Sequence, residues 1–286
     1  MIRLGIIGTE SSHTISILNH IKEIENVEVT AICGENREDT EKVLEQFHLD
    51  CEVASPEEMI GRVDGVMLTM RDGAEHLKAV RPLIGHDIAI WIDKPFTASV
   101  ADAKELLSLL EQSRTPFSGG SYIKLTEGVQ SVKKEYERIK DTCMSGYLSF
   151  WTQLESPYSG MHFYSHHLIE SVLEAFGCGV RSVLAKRTGD SLAVIAAYDG
   201  FQVLMNYGVH EMPLHGGVFG SKSSFMTKID FGDADQKQFE EFLDVIKSKK
   251  SPYSPEFFLT AVKMSNAIER SMKIGREVLL EEVKSE

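Results

Sequence analysis

The sequence predicts a doubly wound parallel α/β sheet followed by an α+β domain with a mainly antiparallel sheet. Two observations carry this. Over the first 120 residues, short Val- and Ile-rich runs alternate with segments whose apolar residues recur every three or four positions. Beyond residue 120 the runs follow one another with mostly turn signals between them. A length of 286 residues suits two ordinary domains, set here at 1–120 and 121–286.

Taken in order, strands are expected at "IRLGII", "VEVTAIC", "DGVMLT", "DIAIWID" and "TPFSGG". The intervening "SHTISILNHIKEI", "REDTEKVLEQF", "AEHLKAVRPLI" and "SVADAKELLSLLEQ" each gather apolar residues on one helical face. Ser55 before "PEEM" has the form of a helix N-cap with proline at the first helical position. Such alternation makes a parallel sheet covered by helices on both faces. A helix over 128–140 opens the second half. Strands follow at "GYLSFWTQLE", "VRSVLAKRT", "SLAVIAAYD", "FQVLMNYG" and "SSFMTKIDF". Asp199-Gly200 is a two-residue hairpin signal. Further helices are expected over 162–176, 235–248 and 255–274.

The formal net charge of −13 argues against a nucleic-acid or anionic-membrane surface. Cys33, Cys51, Cys143 and Cys178 form no close pair, the pattern of reduced thiols in a cytoplasmic protein. The opening "MIRLGIIG" is too short an apolar run for a signal peptide, and no stretch of about 18 apolar residues predicts a membrane span. Apolar residues at adjacent and alternate positions in "VLMNYG" and "LAVIAAY" leave a sheet face needing cover, which predicts a homo-oligomer, a dimer or tetramer.

The stretch "IGTESSHTISI" joins the first strand to the first helix, where many nucleotide-binding domains cradle a pyrophosphate. The usual pattern is G-x-G-x-x-G or Ala. Here only Gly8 remains, and Glu10 and His13 stand at the other two positions. The Glu10 carboxylate would repel a phosphate. In favour of binding, a helix N-terminus offers unpaired N–H groups, and Thr9, Ser11 and Ser12 add hydroxyls. Those serines can equally serve as N-caps.

Five segments resemble the Gfo/Idh/MocA-type oxidoreductases, relatives of glucose-fructose oxidoreductase and inositol dehydrogenase. They are "LGIIG", "VDGVMLTMRDGAEHLKAV", "IWIDKPFTASVADAKELL", "HHLIESVLEAFG" and "SMKIGREVLL". Their order and spacing span nearly the whole chain, which is then a divergent member. The resemblance implies a Rossmann-type dinucleotide-binding domain, NAD or NADP as cofactor, and a sugar, polyol or related small carbonyl substrate.

Asp93-Lys94-Pro95 corresponds to the family's Glu-Lys-Pro. Independently of that, Lys94 follows a strand and precedes a proline, so its amine lies at the carboxyl end of a parallel sheet. A lysine there can bond a substrate oxygen and move its proton if desolvation lowers its pKa, and Asp93 can orient it. The resemblance makes His167 the second catalytic group and places Thr69 and His76 near the cofactor. Where the family has Asp four residues before that histidine, this chain has Phe163. His162, His166 and Glu170 share a helical face and, with Tyr122, are candidate substrate contacts. The first three are also permissive of a divalent metal, although no HExxH signature accompanies them. His210 and His215 can reach the same pocket or lie solvated in a loop. After the second strand, Gly34 replaces the family's ribose-binding Asp; Glu35 can bind a 2′-OH and Arg37 a 2′-phosphate, which leaves NAD and NADP both open.

Three functions remain in contention: an NAD(P)-dependent dehydrogenase or reductase, a non-redox sugar or sugar-acid binder that kept the fold, and a metal-dependent lyase or hydrolase.

Overall fold

A computed structural model describes residues 1–284. In chain order the elements are β1 (Ile2–Ile7), α1 (Ser12–Glu23), β2 (Val27–Cys33), α2 (Arg37–Phe47), β3 (Gly65–Leu68), α3 (His76–Val80), β4 (Ala89–Asp93), α4 (Val100–Ser113) and β5 (Phe117–Gly120). There follow α5 (Glu127–Ile139), β6 (Cys143–Trp151), α6 (His162–Phe176), β7 (Ser182–Thr188), β8 (Ser191–Ala197), β9 (Gln202–Gly208), β10 (Leu214–Gly220), β11 (Ser224–Ile229), α7 (Ala234–Ser248), α8 (Pro255–Ile274) and β12 (Val278–Leu279).

The chain divides into two compact units. The first comprises 1–97, 102–120 and 235–254. Its sheet has the order β2-β1-β3-β4-β5, every pairing parallel. Because β1 lies between β2 and β3, the chain leaves it in two directions, and the loops after β1 and β3 meet at that switch point. All five strands coincide with the expected runs, trimmed by up to two residues at their ends. Leu4, Ile6, Ile17, Met67, Phe242 and Ile246 share one core.

α7 was expected in the second domain. It belongs to the first because Phe239, Phe242, Leu243 and Ile246 complete that core. Two local expectations also change. The "AEHLKAVRPLI" helix stops at Val80 and tightens into a 3-10 turn over Arg81–Leu83, where Pro82 cannot donate. "PEEM" is a 3-10 turn too, and Ser55, though extended, makes no capping hydrogen bond with its side chain.

The second unit comprises 98–101, 121–234 and 255–286, of which 285 and 286 lie outside the described residues. Its sheet runs β11-β10-β6-β9-β8-β7-β12. All pairings are antiparallel except β6 with β9. β10 was not expected, since "LHGGVFG" carries three glycines. Along β8 and β9, buried residues alternate with half-buried or exposed ones, so one face packs on helices and the other stays open. Among the described residues no helix is long and apolar enough to cross a membrane.

Candidate active site

In the first unit, β1 is followed by Gly8, whose φ of +109° is open to glycine. A Cβ there would lie 2.6 Å from the Met70 nitrogen, so the loops after β1 and β3 can touch only because position 8 has no side chain. The Thr69 and Thr14 hydroxyls, 2.8 Å apart, both lie 2.9 Å from the Gly8 carbonyl. Thr69 is fully buried. It braces the loop from beneath.

Ser11 is the N-cap of α1 and accepts from the His13 amide at 3.2 Å. Among the described residues, the amides of Glu10, Ser11 and Ser12 bond no protein group. Three open N–H groups at the start of a 12-residue helix suit a phosphate. The Thr9 amide is taken: it donates to Glu35 Oε2 at 2.7 Å. Gly34 has its own reason. A Cβ there would fall 1.9 Å from Thr40 Oγ1 and 2.3 Å from Thr9 Oγ1, two hydroxyls that bond each other at 3.1 Å.

A cavity of about 280 Å³ opens beside this loop, with Gly8, Gly34, Glu35, Glu57, Met70 and Glu75 in its wall. Arg37 lies out in solvent, paired with Glu41 at 2.5 Å. The residues present therefore fit a dinucleotide, with open amides for its pyrophosphate and an acidic rim beyond.

At the end of β4, Asp93 Oδ2 lies 2.6 Å from His13 Nδ1, and its Oδ1 accepts from the Lys94 amide at 2.7 Å. Asp93 and Lys94 are 2% and 3% exposed. Burial pushes the Asp93 carboxyl upward, but His13 and Lys94 outweigh it and hold the carboxyl below the usual carboxylate range. The expected orienting role of Asp93 takes an unexpected form: its side chain holds the Lys94 backbone and the His13 ring. His76 is fully buried, with Nε2 2.8 Å from the Met70 carbonyl and Nδ1 3.3 Å from that of Phe96. Burial lowers its pKa. It ties the loop after β3 to the turn after Lys94, a supporting role.

In the second unit, α6 is buried along almost its whole length. His167 Nδ1 lies 2.7 Å from Ser121 Oγ. The rings of Tyr122, Phe150 and Tyr164 stand 5.2–6.0 Å from its imidazole. Phe163 packs against Tyr158 and Tyr164 in the same aromatic wall.

The other polar residues of α6 face inward. His162 Nδ1 and His166 Nε2 both reach Ser265 Oγ of α8, at 3.0 and 3.2 Å. Glu170 Oε2 accepts from the Ser121 amide at 2.7 Å and pairs with Lys124 at 3.3 Å. Burial pushes the Glu170 carboxyl up; Lys124, His166 and the Ser121 amide prevail and hold it low. Burial, then the neighbouring His166, pushes His162 down to about 4. The shared face of His162, His166 and Glu170 is internal and meets α8 and the turn after Ser121. Among the described residues, no group of three His, Cys, Asp or Glu is placed to hold a metal ion. His210 is an exposed loop residue beside Asp190, and His215 lines a groove on the open sheet face, so neither joins His167. Ser121 and Lys124 escaped the sequence reading because nothing marks "GSYIKL" as more than a turn.

An open-amide loop at the switch point of a parallel sheet, with a buried lysine at the end of another of its strands, is the arrangement of a Rossmann-like domain. Residues 2–120 match the profile of a family described as "Oxidoreductase family, NAD-binding Rossmann fold", the GFO_IDH_MocA family. That match covers 119 of the chain's 286 residues, the span of the parallel sheet. A probable dehydrogenase from Thermotoga maritima superposes with a TM-score of 0.86 at 17% identity, over 99% of this chain and 100% of that one. A scyllo-inositol dehydrogenase from Lactobacillus casei, with bound NAD(H) and scyllo-inositol, gives 0.86 at 12% over 98% and 99%. A myo-inositol 2-dehydrogenase from Lactobacillus plantarum gives 0.84 at 13% over 97% and 99%. These likenesses establish the fold of the whole chain. Sequence comparison with curated proteins returns no match.

Proposed function

We propose that this protein is an NAD-dependent dehydrogenase or reductase acting on a cyclitol, sugar or related small carbonyl compound. The observation that carries the proposal is the Asp93-Lys94 pair, buried at the carboxyl end of β4 in a domain that matches an NAD-binding oxidoreductase family. The nicotinamide, when bound, supplies or accepts the hydride. Lys94 binds the substrate oxygen and carries its proton. His167 contributes a hydrogen bond to the substrate. The open amides of Glu10, Ser11 and Ser12 hold the pyrophosphate.

NAD is favoured over NADP. Glu35, Glu57 and Glu75 lie in the cavity wall against one cation, Lys78, which pairs with Glu75 at 3.5 Å, and the net negative charge disfavours a 2′-phosphate. Arg37, the alternative phosphate ligand, is engaged with Glu41 in solvent. The open face of the second sheet, where Leu184 and Leu204 are each 40% exposed, supports association into a homo-oligomer.

The test is a fluorescence titration with NADH and NADPH, followed by a turnover screen of inositols and aldoses. Saturable binding of NADH, weaker binding of NADPH and turnover of one polyol are expected. Absence of binding by either cofactor at millimolar concentration sinks the proposal and leaves the non-redox binder.

A further inference from the structure

We infer that Ser121 and Glu170 are positioning residues that hold His167 in the tautomer with its proton on Nε2. His167 then meets its ligand as a hydrogen-bond donor. This rests on the reading of His167 as substrate-facing, but the proton position can be measured without substrate or cofactor.

The argument begins with the single hydroxyl proton of Ser121. Ser121 Oγ already accepts from the Ile123 amide at 3.2 Å. The one other group it bonds is His167 Nδ1, at 2.7 Å. Both groups are shielded from bulk solvent: Ser121 is fully buried and His167 is 4% exposed. A buried hydroxyl whose proton has no acceptor is costly, and His167 Nδ1 is the acceptor on offer. The serine therefore donates, Nδ1 is the unprotonated ring nitrogen, and neutral His167 carries its hydrogen on Nε2.

Glu170 keeps this geometry in place. Its Oε2 accepts from the Ser121 amide at 2.7 Å and pairs with Lys124 Nζ at 3.3 Å. One carboxylate thus clamps the turn at Ser121 and again at Lys124, and both charged side chains are fully buried. A buried ion pair is a poor way to gain stability, since desolvation offsets most of its attraction. Here its role is registry, because it sets where the Ser121 hydroxyl stands against α6.

Nitrogen-15 NMR of the histidine side chains tests this on the intact, uniformly labelled protein. His167→Asn identifies the His167 signals by their loss. Expected in the parent protein is one tautomer, with Nδ1 in the range of an unprotonated ring nitrogen and Nε2 in that of a protonated one. Ser121→Ala is expected to bring the two shifts toward each other as both tautomers populate. The double variant Glu170→Leu/Lys124→Met removes both charges, avoids stranding either, and is expected to give the same mixing. Circular dichroism of each variant confirms folding. A proton on Nδ1 in the parent, or an unchanged tautomer in Ser121→Ala, overturns the inference. An unmixed tautomer in the folded double variant overturns the part assigned to Glu170. If NADH fails to bind while the tautomer is as stated, the functional reading falls and the inference stands. Where a polyol is turned over, Ser121→Ala lowers kcat roughly tenfold, the scale of one orienting hydrogen bond, with little change in KM.

Discussion

His13 Nδ1 stands 2.6 Å from Asp93 Oδ2 and ties the first turn of α1 to the end of β4. A position that a dinucleotide loop normally gives to a small residue thus carries a ring serving as a strut, and the strut ends on the carboxylate that also holds the Lys94 amide.

Asp93→Asn replaces a charge-assisted bond with a neutral one. A loss of about 2 kcal/mol is expected, the scale of a hydrogen bond to a charged group. Urea unfolding at pH 7 measures it. Because the Asp93 carboxyl titrates below its usual range, the parent's extra stability is full above the ordinary carboxylate pKa. It is lost as pH falls through the lowered value, so the two proteins converge in acid.

Glu10→Gly removes an anion from the mouth of the phosphate cradle. NADH affinity is expected to rise about tenfold, and the gain should shrink at high salt because the repulsion is screened. Equal affinity in parent and variant at both ionic strengths shows that Glu10 does not limit binding.

Gly34→Asp, which restores a ribose-binding residue to the loop, is expected to fail. Its Cβ would fall within 2.3 Å of two threonine hydroxyls. Overpacking of this kind costs about 1–3 kcal/mol, so a lowered Tm and no gain in NADH affinity are expected.

Acid instability should trace to His162. Its pKa is pushed down to about 4 from an ordinary 6.5, so the unfolded chain takes up the proton first. Stability declines as pH falls from 6.5 toward 4, by about 3 kcal/mol for this one group, and no further below that. His162→Gln should flatten that part of the stability-versus-pH curve, read by thermal melts across the range.

The sequence made most elements legible because they obey period. α2, α6 and α8 begin and end where their apolar spacing does. β10 breaks period for a steric reason. A Cβ at Gly216 would lie 2.9 Å from Val132, and one at Gly217 2.4 Å from Met226. Its glycines make room for Val132 of α5 and for Met226 on the adjacent strand β11, and the period of β10 itself records neither. The site was half legible. Gly8, Asp93 and Lys94 stand where strand ends put them. The partners of His13, Glu35 and His167 come from contacts 80, 26 and 46 residues away, which one-dimensional spacing does not carry. The inward turn of His162, His166 and Glu170 was invisible because helical spacing names a face without saying what it meets.

The return of α7 to the first unit bears on how the chain is made. During synthesis, residues 1–120 emerge well before Phe242 and Ile246, which pack closely over Gly65 at the start of β3. Until about 250 residues have left the ribosome, one side of the nascent parallel sheet lacks its last apolar cover. A polypeptide truncated at 120 should therefore be sticky, and expression of that fragment alone is the wrong way to obtain the cofactor domain.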